Sequence, residues 1–295
     1  MSTSFGIAPK GYRLPDATRI GRVTLQVADL ARSLAYYERV LGFRVLERSA
    51  GKAILGDQAG ERPLIELRER AGATPVPRRG RLGLYHFAIL LPDRAHLGQL
   101  LRHLAELGER AGMSDHLVSE ALYLSDPDGL GIEVYADRPR ASWRMNGNEL
   151  AMATDPLDVD DLLQAAGTER WSGMPAGTVI GHVHLHVGDL DQAAAFYHDG
   201  LGLDKMVSSY PGALFLAAGG YHHHLGTNTW AAGAPAATDA DARLLEWEVL
   251  VPSPEDASAA LSSLATSGIA VERAADGGIA RDPWGTTVRV RATQM

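Results

Sequence analysis

In Val23-Thr-Leu-Gln-Val27 every second side chain is aliphatic. Side chains on a strand alternate faces with a period of two, so this pattern predicts a strand with one buried face. The residues that follow, LARSLAYYERVLG, place apolar groups at helical spacing between Asp29 and Gly42. Asp29 stands where an N-cap belongs, because a short carboxylate there accepts from the free N–H groups of a first turn. Gly42 stands where a helix stops. Short apolar runs come next, VLERS, KAILGD and PLIELRE, separated by Gly and Asp turns, and they predict three further strands. The unit reads as βαββ with a fourth strand.

The same unit recurs. IGRVTLQVADLARSLAYYERVLGF at residues 20–43 matches IGHVHLHVGDLDQAAAFYHDGLGL at 180–203 without a gap, an offset of 160 residues. LYHFAILLPD at 84–93 faces LEWEVLVPSP at 244–253 in the same register. Each half closes on a DPxG turn and a strand, with Asp126, Pro127 and Gly129 in one and Asp282, Pro283 and Gly285 in the other. The second unit of the first half repeats the plan with strand YHFAILL, helix DRAHLGQLLRHLAELG and HLVSEALYLSDPDGLGIEVYAD. Four modules therefore fill most of the chain: modules one and two in residues 1–140, and modules three and four in 179–295. Residues 141–178, rich in Asp, Met, Gly and Pro around the short helical run DVDDLLQAAG, read as a connection between halves. AAGAPAATDAD near residue 236 reads as a surface loop.

Composition narrows the chemistry. The 295 residues are 45% hydrophobic, which suits a globular protein with a substantial core. Lys and Arg number 28 against 36 Asp and Glu, and a formal charge of -8 opposes nonspecific binding to nucleic acid phosphates. No apolar stretch approaches the ~20 residues that cross a bilayer, and MSTSFGIAPKGYRLPD lacks an apolar signal core. A cytoplasmic protein with no membrane or nucleic-acid partner is expected. The chain has no Cys, which rules out disulfides, thiolate nucleophiles, zinc-thiolate sites and iron-sulfur clusters. Any metal must be held by His nitrogen and carboxylate oxygen.

Six of the eleven His lie in HVHLH (His182, His184, His186) and in the run His222, His223, His224. On a strand His182, His184 and His186 point one way, and so do His222 and His224, so up to five imidazoles converge if both segments line one concavity. His86 sits in another opening strand, and Glu133 is flanked by Ile132 and Val134 after the DPDG turn. A lone strand His is more often a hydrogen-bonded core residue, and a lone strand Glu often faces solvent. Together with the clustered His, however, a carboxylate centred in an apolar strand calls for a partner, and a divalent metal answers that need.

The motifs HVHLHVGDL, LYHFAILLPD, YLSDPDGLGIEVYADRP and GGYHHHLGTNTW resemble the vicinal oxygen chelate superfamily of glyoxalase I, bleomycin resistance proteins and extradiol dioxygenases. The resemblance covers nearly the whole chain and is nearer to the bacterial catechol-2,3-dioxygenase branch. It implies an α+β fold of four tandem βαββ modules, forming two cup-shaped half-barrel sheets with helices outside. It also implies metal ligands from the first and last strands of a module pair. The positions that qualify are Arg22 and Glu66, His86 and Glu133, His182 and His224, and Glu246 and Arg289, module by module. Pairing modules two and three joins His86, His182 and Glu133, with His224 in reserve. Modules one and four then bring together Arg22, Arg289, Glu66 and Glu246, which neutralise one another. The other pairing would put an Arg into each site and repel a cation, so the first is expected. In the well-known extradiol enzymes the ligands come from the last two modules, where this chain has Glu246 and Arg289.

The resemblance further implies Fe(II), with Mn(II) as a substitute, and extradiol (meta) cleavage of catechol or a substituted catechol with O2. Three protein ligands leave room at the metal for such substrates, as a closed structural site would not. His184, His222 and His224 are the acid/base candidates. Tyr135, two residues beyond Glu133, is either a hydrogen-bond donor to substrate or a barrel-wall aromatic. Trp230 and Tyr221 read as pocket walls, and Glu120 as the partner of a neighbouring His or Arg. The alternatives are a glyoxalase-like metal-dependent lyase or isomerase, which would favour two carboxylates, and a metal-free binding protein. A homo-oligomer is compatible with all of these readings.

Overall fold

The period-two segments pair into two eight-stranded sheets, and each sheet takes one module from either half of the chain. The computed structural model describes residues 6–60, 62–77 and 80–293. In the first sheet the opening strands of modules one and four, Arg19–Val27 and Arg243–Val251, lie antiparallel at the centre. In the second sheet the opening strands of modules two and three, Gly83–Leu90 and Val179–His186, occupy the same place. Within a module the opening strand pairs in parallel with the closing one, as Gly83–Leu90 does with Gly131–Asp137. A parallel pair needs a crossover, which here is the module's helix together with a hairpin. The architecture is four βαββ modules in two curved sheets, joined as modules one with four and two with three.

Alternation divides each sheet into a core face and a cup face. Val23, Leu25, Trp247 and Val249 from one sheet and Phe87, Ile89, Val183 and Leu185 from the other are all buried in a single apolar cluster. Their neighbours in sequence, His86, Glu133, His182 and His184 in one sheet and Glu66 and Glu248 in the other, are the buried polar residues of the cups.

The helices start where short acceptors permit. Asp29 accepts from the Arg32 backbone N–H at 2.9 Å and begins Leu30–Arg39. Asp93 begins Arg94–Leu107, which ends on Gly108 at φ 73°. Module three departs from the expected regular helix: after Leu190–Ala194 the backbone widens into a π-helix over Ala195–Gly200. The DPxG turns lock the halves internally. Asp126 Oδ1 accepts from the Asp128 and Leu130 N–H groups, and the Tyr37 hydroxyl of module one's helix reaches its other oxygen at 3.4 Å. Asp282 repeats this with Trp284, Thr286 and the Tyr197 hydroxyl, the last at 2.9 Å.

The segment expected to be a plain connection has more structure than that. Its hairpin joins Met145–Asn146 to Glu149–Leu150, and its helix Val159–Ala165 packs on Arg94–Leu107 where Gly98 leaves room for the Leu162 carbonyl. Asp155 exchanges two 2.9 Å backbone hydrogen bonds with Asp115 at one edge of the second sheet. Glu149 accepts from the Ser208 N–H at the other edge, at 2.9 Å. The segment is a strap across the mouth of that cup. Among the described residues no helix is long and apolar enough to cross a membrane.

Candidate metal centre

His182 lies opposite Ala88 in the antiparallel joint of the second sheet, and Ala88 lies beside Glu133 in the parallel pairing. The residue between His182 and Glu133 is therefore a bare methyl, and the two longer side chains meet over it. His182 Nε2 is 3.1 Å from Glu133 Oε2, and His86 Nε2 is 2.9 Å from the same oxygen. All three residues are buried, and their ligand atoms fall within 4.8 Å of one another. Burial pushes the Glu133 carboxyl up, but the two imidazoles outweigh it and hold the group well below the usual carboxylate range. Burial pushes His182 down to about 4, so it is a neutral imidazole near pH 7.

Two imidazoles and one carboxylate form the donor set of a divalent transition metal with open positions. The unsatisfied atoms fit that reading. Among the described residues His182 Nδ1 is buried with no hydrogen-bond partner, and His86 Nε2, though 2.9 Å from Glu133 Oε2, is not aligned to hydrogen-bond it, an arrangement that is costly unless something else engages the cluster. Glu66 sits 160 residues before Gly226, so Gly226 holds the corresponding closing-strand position of module three. Gly226 is the partner of His184 in the parallel pairing, and the His184 ring rests where a Cβ would stand. The cluster thus has three donor side chains.

The remaining predicted residues divide between the cavity and its supports. A chamber of about 390 Å³ adjoins His86 and Glu133, walled by Tyr85, Tyr123, Met152, Tyr210, Phe215 and Trp230, and it also meets His184 and His223. Asn228 Oδ1 accepts from the Trp230 backbone N–H at 3.1 Å, which leaves its amide nitrogen to donate to His184 Nε2 at 2.9 Å. His184 Nε2 is then an acceptor, and burial keeps the ring neutral.

Residues 222–224 correct the expectation of a strand, because the strand begins at Leu225 and the three His lie in the irregular turn before it. The period of two does not apply in a turn, and His223 rather than His222 or His224 reaches the chamber. His222 Nε2 donates to Asp137 Oδ1 at 2.9 Å, so its Nδ1 accepts from His223 Nδ1 at 2.7 Å. His223 is left with Nε2 uncommitted, and its ring lies 4.0 Å from that of His182. His224 Nδ1 instead accepts from the Ala218 N–H, and burial drives its pKa down to about 3. Tyr135 is fully buried above Gly181, and its hydroxyl shares a 2.7 Å hydrogen bond with that of Tyr221. His186 is bound to Asn228 Oδ1 at 2.7 Å beside Tyr85. Glu120 pairs with Arg94 and Arg138, as expected of a charge partner.

The sequence reading missed Tyr123 and His116. Tyr123 is the cross-strand partner of Glu133, and its hydroxyl meets His116 Nε2 at 2.5 Å. His116 Nδ1 bonds in turn to the Ala153 carbonyl of the strap at 2.7 Å. The signal was the DPDG turn, since counting outward from a tight hairpin turn sets residue 123 opposite 133. Arg22, Glu66, Glu246 and Arg289 meet in the other cup and neutralise one another as expected. Arg22 lies 2.8 Å from Glu66, and Arg289 bonds Glu246 through two nitrogens at 2.7 and 2.9 Å.

The sequence pattern of the glyoxalase/bleomycin resistance protein/dioxygenase superfamily matches residues 19–134 and 179–290. A catechol-2,3-dioxygenase of Bacillus subtilis (strain 168) is 46% identical over 271 residues, 90% of this chain and 94% of that protein. A provisionally assigned dioxygenase of Bacillus subtilis subsp. subtilis str. 168 superposes with a TM-score of 0.65 at 15% identity, over 95% of this chain and 86% of its own. Glyoxalase I from Zea mays superposes with a TM-score of 0.55 at 20% identity, over 94% and 92%. With four βαββ modules, two cups and a match in both halves, the chain belongs to the glyoxalase/bleomycin resistance protein/dioxygenase superfamily.

Proposed function

We propose that the protein is an extradiol dioxygenase that opens the ring of catechol or a substituted catechol with O2 at a non-haem Fe(II), with Mn(II) as a substitute. The observation that carries the reading is the His86, His182 and Glu133 cluster, with His86 and Glu133 at the wall of an aromatic-lined chamber, in a chain 46% identical to a catechol-2,3-dioxygenase. A single carboxylate favours this over the glyoxalase-like alternative, for which two were expected. A cytoplasmic location belongs to the same proposal.

His86, His182 and Glu133 would hold the metal, which supplies Lewis acidity toward the diol and a redox couple toward O2. The chain's own residues do the rest. His223, with Nε2 free and Nδ1 directed at His222 and Asp137, is placed to take a proton from a diol hydroxyl. His184, held by Asn228, and Tyr123, held by His116, orient the ring's oxygens. Phe215, Tyr85 and Met152 exclude water from the chamber. His222, His224 and Tyr135 support these groups from behind.

The test is anaerobic loading with Fe(II), followed by catechols and air, with O2 uptake and a yellow ring-opened product as readouts. His182→Ala should abolish both. Bound iron without O2 uptake on any catechol would overturn the proposal.

A further inference from the structure

The first sheet has a cup of its own, and the 160-residue offset shows what became of it. His86 corresponds to Glu246, His182 to Arg22, and Ala88 to Glu248, which lies beside Arg289 as Ala88 lies beside Glu133. The metal-ligand positions of one cup are thus guanidinium and carboxylate groups in the other. The cavity was retained, with a volume of about 550 Å³, in the range of pockets that hold small molecules.

Charge in this cup is not balanced. Six arginines line it against four acids, and the fifth nearby acid, Glu66, is buried behind them and also bonded to Lys52. Glu272 pairs with Arg281 at 2.5 Å, so counting Lys52, Glu66 and Glu272 with the lining leaves an excess of one positive charge, in a chain whose net charge is -8. Donor capacity is also left over. Each guanidinium has five N–H groups, yet among the described residues Arg68 uses only Nε, on Glu66, and Arg291 only Nη2, on Glu248. Among the described residues the Nε atoms of Arg22, Arg243 and Arg291 are buried without a hydrogen-bond partner.

We propose that this second cup is a binding site for a small oxyanion, a carboxylate or a phosphate, held by Arg68 and Arg291 over the Arg22 and Arg289 ion pairs. Planar guanidinium groups meet both kinds of oxyanion with paired hydrogen bonds. The fixed acids keep the empty cup from becoming a purely repulsive cluster, and the net positive charge with the unused guanidinium donors favours an anionic ligand. Such a site needs no metal and is separate from the chamber at His86, because the two cups belong to different sheets.

Titration calorimetry of the full chain in dilute buffer, with inorganic phosphate in one series and succinate in another, tests this. One saturable event per chain is expected, and the better ligand identifies the oxyanion class. Arg68→Gln, at a half-exposed side chain that can be removed without unfolding, should weaken binding about tenfold or more, and Arg291→Gln likewise. Glu133→Gln in the other cup should leave the event unchanged. The proposal is overturned by no saturable heat with either anion, by native-strength binding in both arginine variants, or by loss of binding in Glu133→Gln.

Discussion

The His184 imidazole lies against the Cα of Gly226, so that a Cβ added to Gly226 would stand 2.9 Å from the ring. Gly226→Ala should therefore displace His184 and break its hydrogen bond with Asn228. We expect a loss of about 1–3 kcal/mol in stability, measurable by urea unfolding, and a fall in ring-opening rate well beyond that of an exposed Gly→Ala control.

Glu133→Gln bears on both ligation and folding. The imidazoles hold the Glu133 carboxyl well below the usual carboxylate range, so its ionised form stabilises the folded chain at neutral pH, and an amide loses that contribution. The metal-free variant should melt below the temperature of the native chain at pH 7, and its affinity for Fe(II) or Mn(II) should fall by about 100-fold or more. Calorimetry on both proteins reads the two quantities, and unchanged metal affinity would remove Glu133 from the ligand set.

His223→Gln should lower kcat by about 10²–10⁴-fold with little change in KM, as expected when a proton-transfer group is removed. Asp137→Asn, two residues away along the relay, should give a smaller loss in the same direction. Steady-state kinetics with catechol distinguishes this from a steric role, which would raise KM instead.

Glu66 makes stability depend on pH. Burial raises its carboxyl pKa, but hydrogen bonds from Arg68 and Lys52 and the charge of Arg22 outweigh burial and leave it below the ordinary 4.5. A lowered folded-state pKa contributes stability that is present above about 4.5 and lost as pH falls through the folded value. Glu66→Gln should melt at a lower temperature at pH 7, and the gap should close below about pH 4.5. A gap that stays constant down to pH 3 would mean the ion pairs contribute nothing.

Tyr197→Phe removes the hydroxyl that donates to Asp282 and leaves a buried carboxyl oxygen unpaired, for a cost of about 1–3 kcal/mol. Tyr37→Phe should cost less, since its bond to Asp126 is 3.4 Å long. Chemical denaturation of the two variants gives the comparison.

Much of the molecule could be read along the chain because its signals are local. The modules follow from periodicity, the caps at Asp29 and Asp93 from side-chain length, and the repeat from its constant offset. His86, Glu133 and His182 stood out as polar residues at core-strand spacing, and the two-with-three pairing followed from keeping arginines away from a cation. What depends on non-local contacts lay beyond that reasoning. His223, rather than its two neighbours, reaches the chamber because residues 222–224 turn before the strand starts, and a turn has no fixed face. The strap looked like a linker because the backbone hydrogen bonds of Asp155 and Ala153 go to segments about 40 residues away in sequence. Sequence alone determined which residues repeat and which face each strand buries. Tertiary structure decided which side chains meet over Ala88 and Gly226, because that depends on strand register between modules and on the space left by the small residue between them.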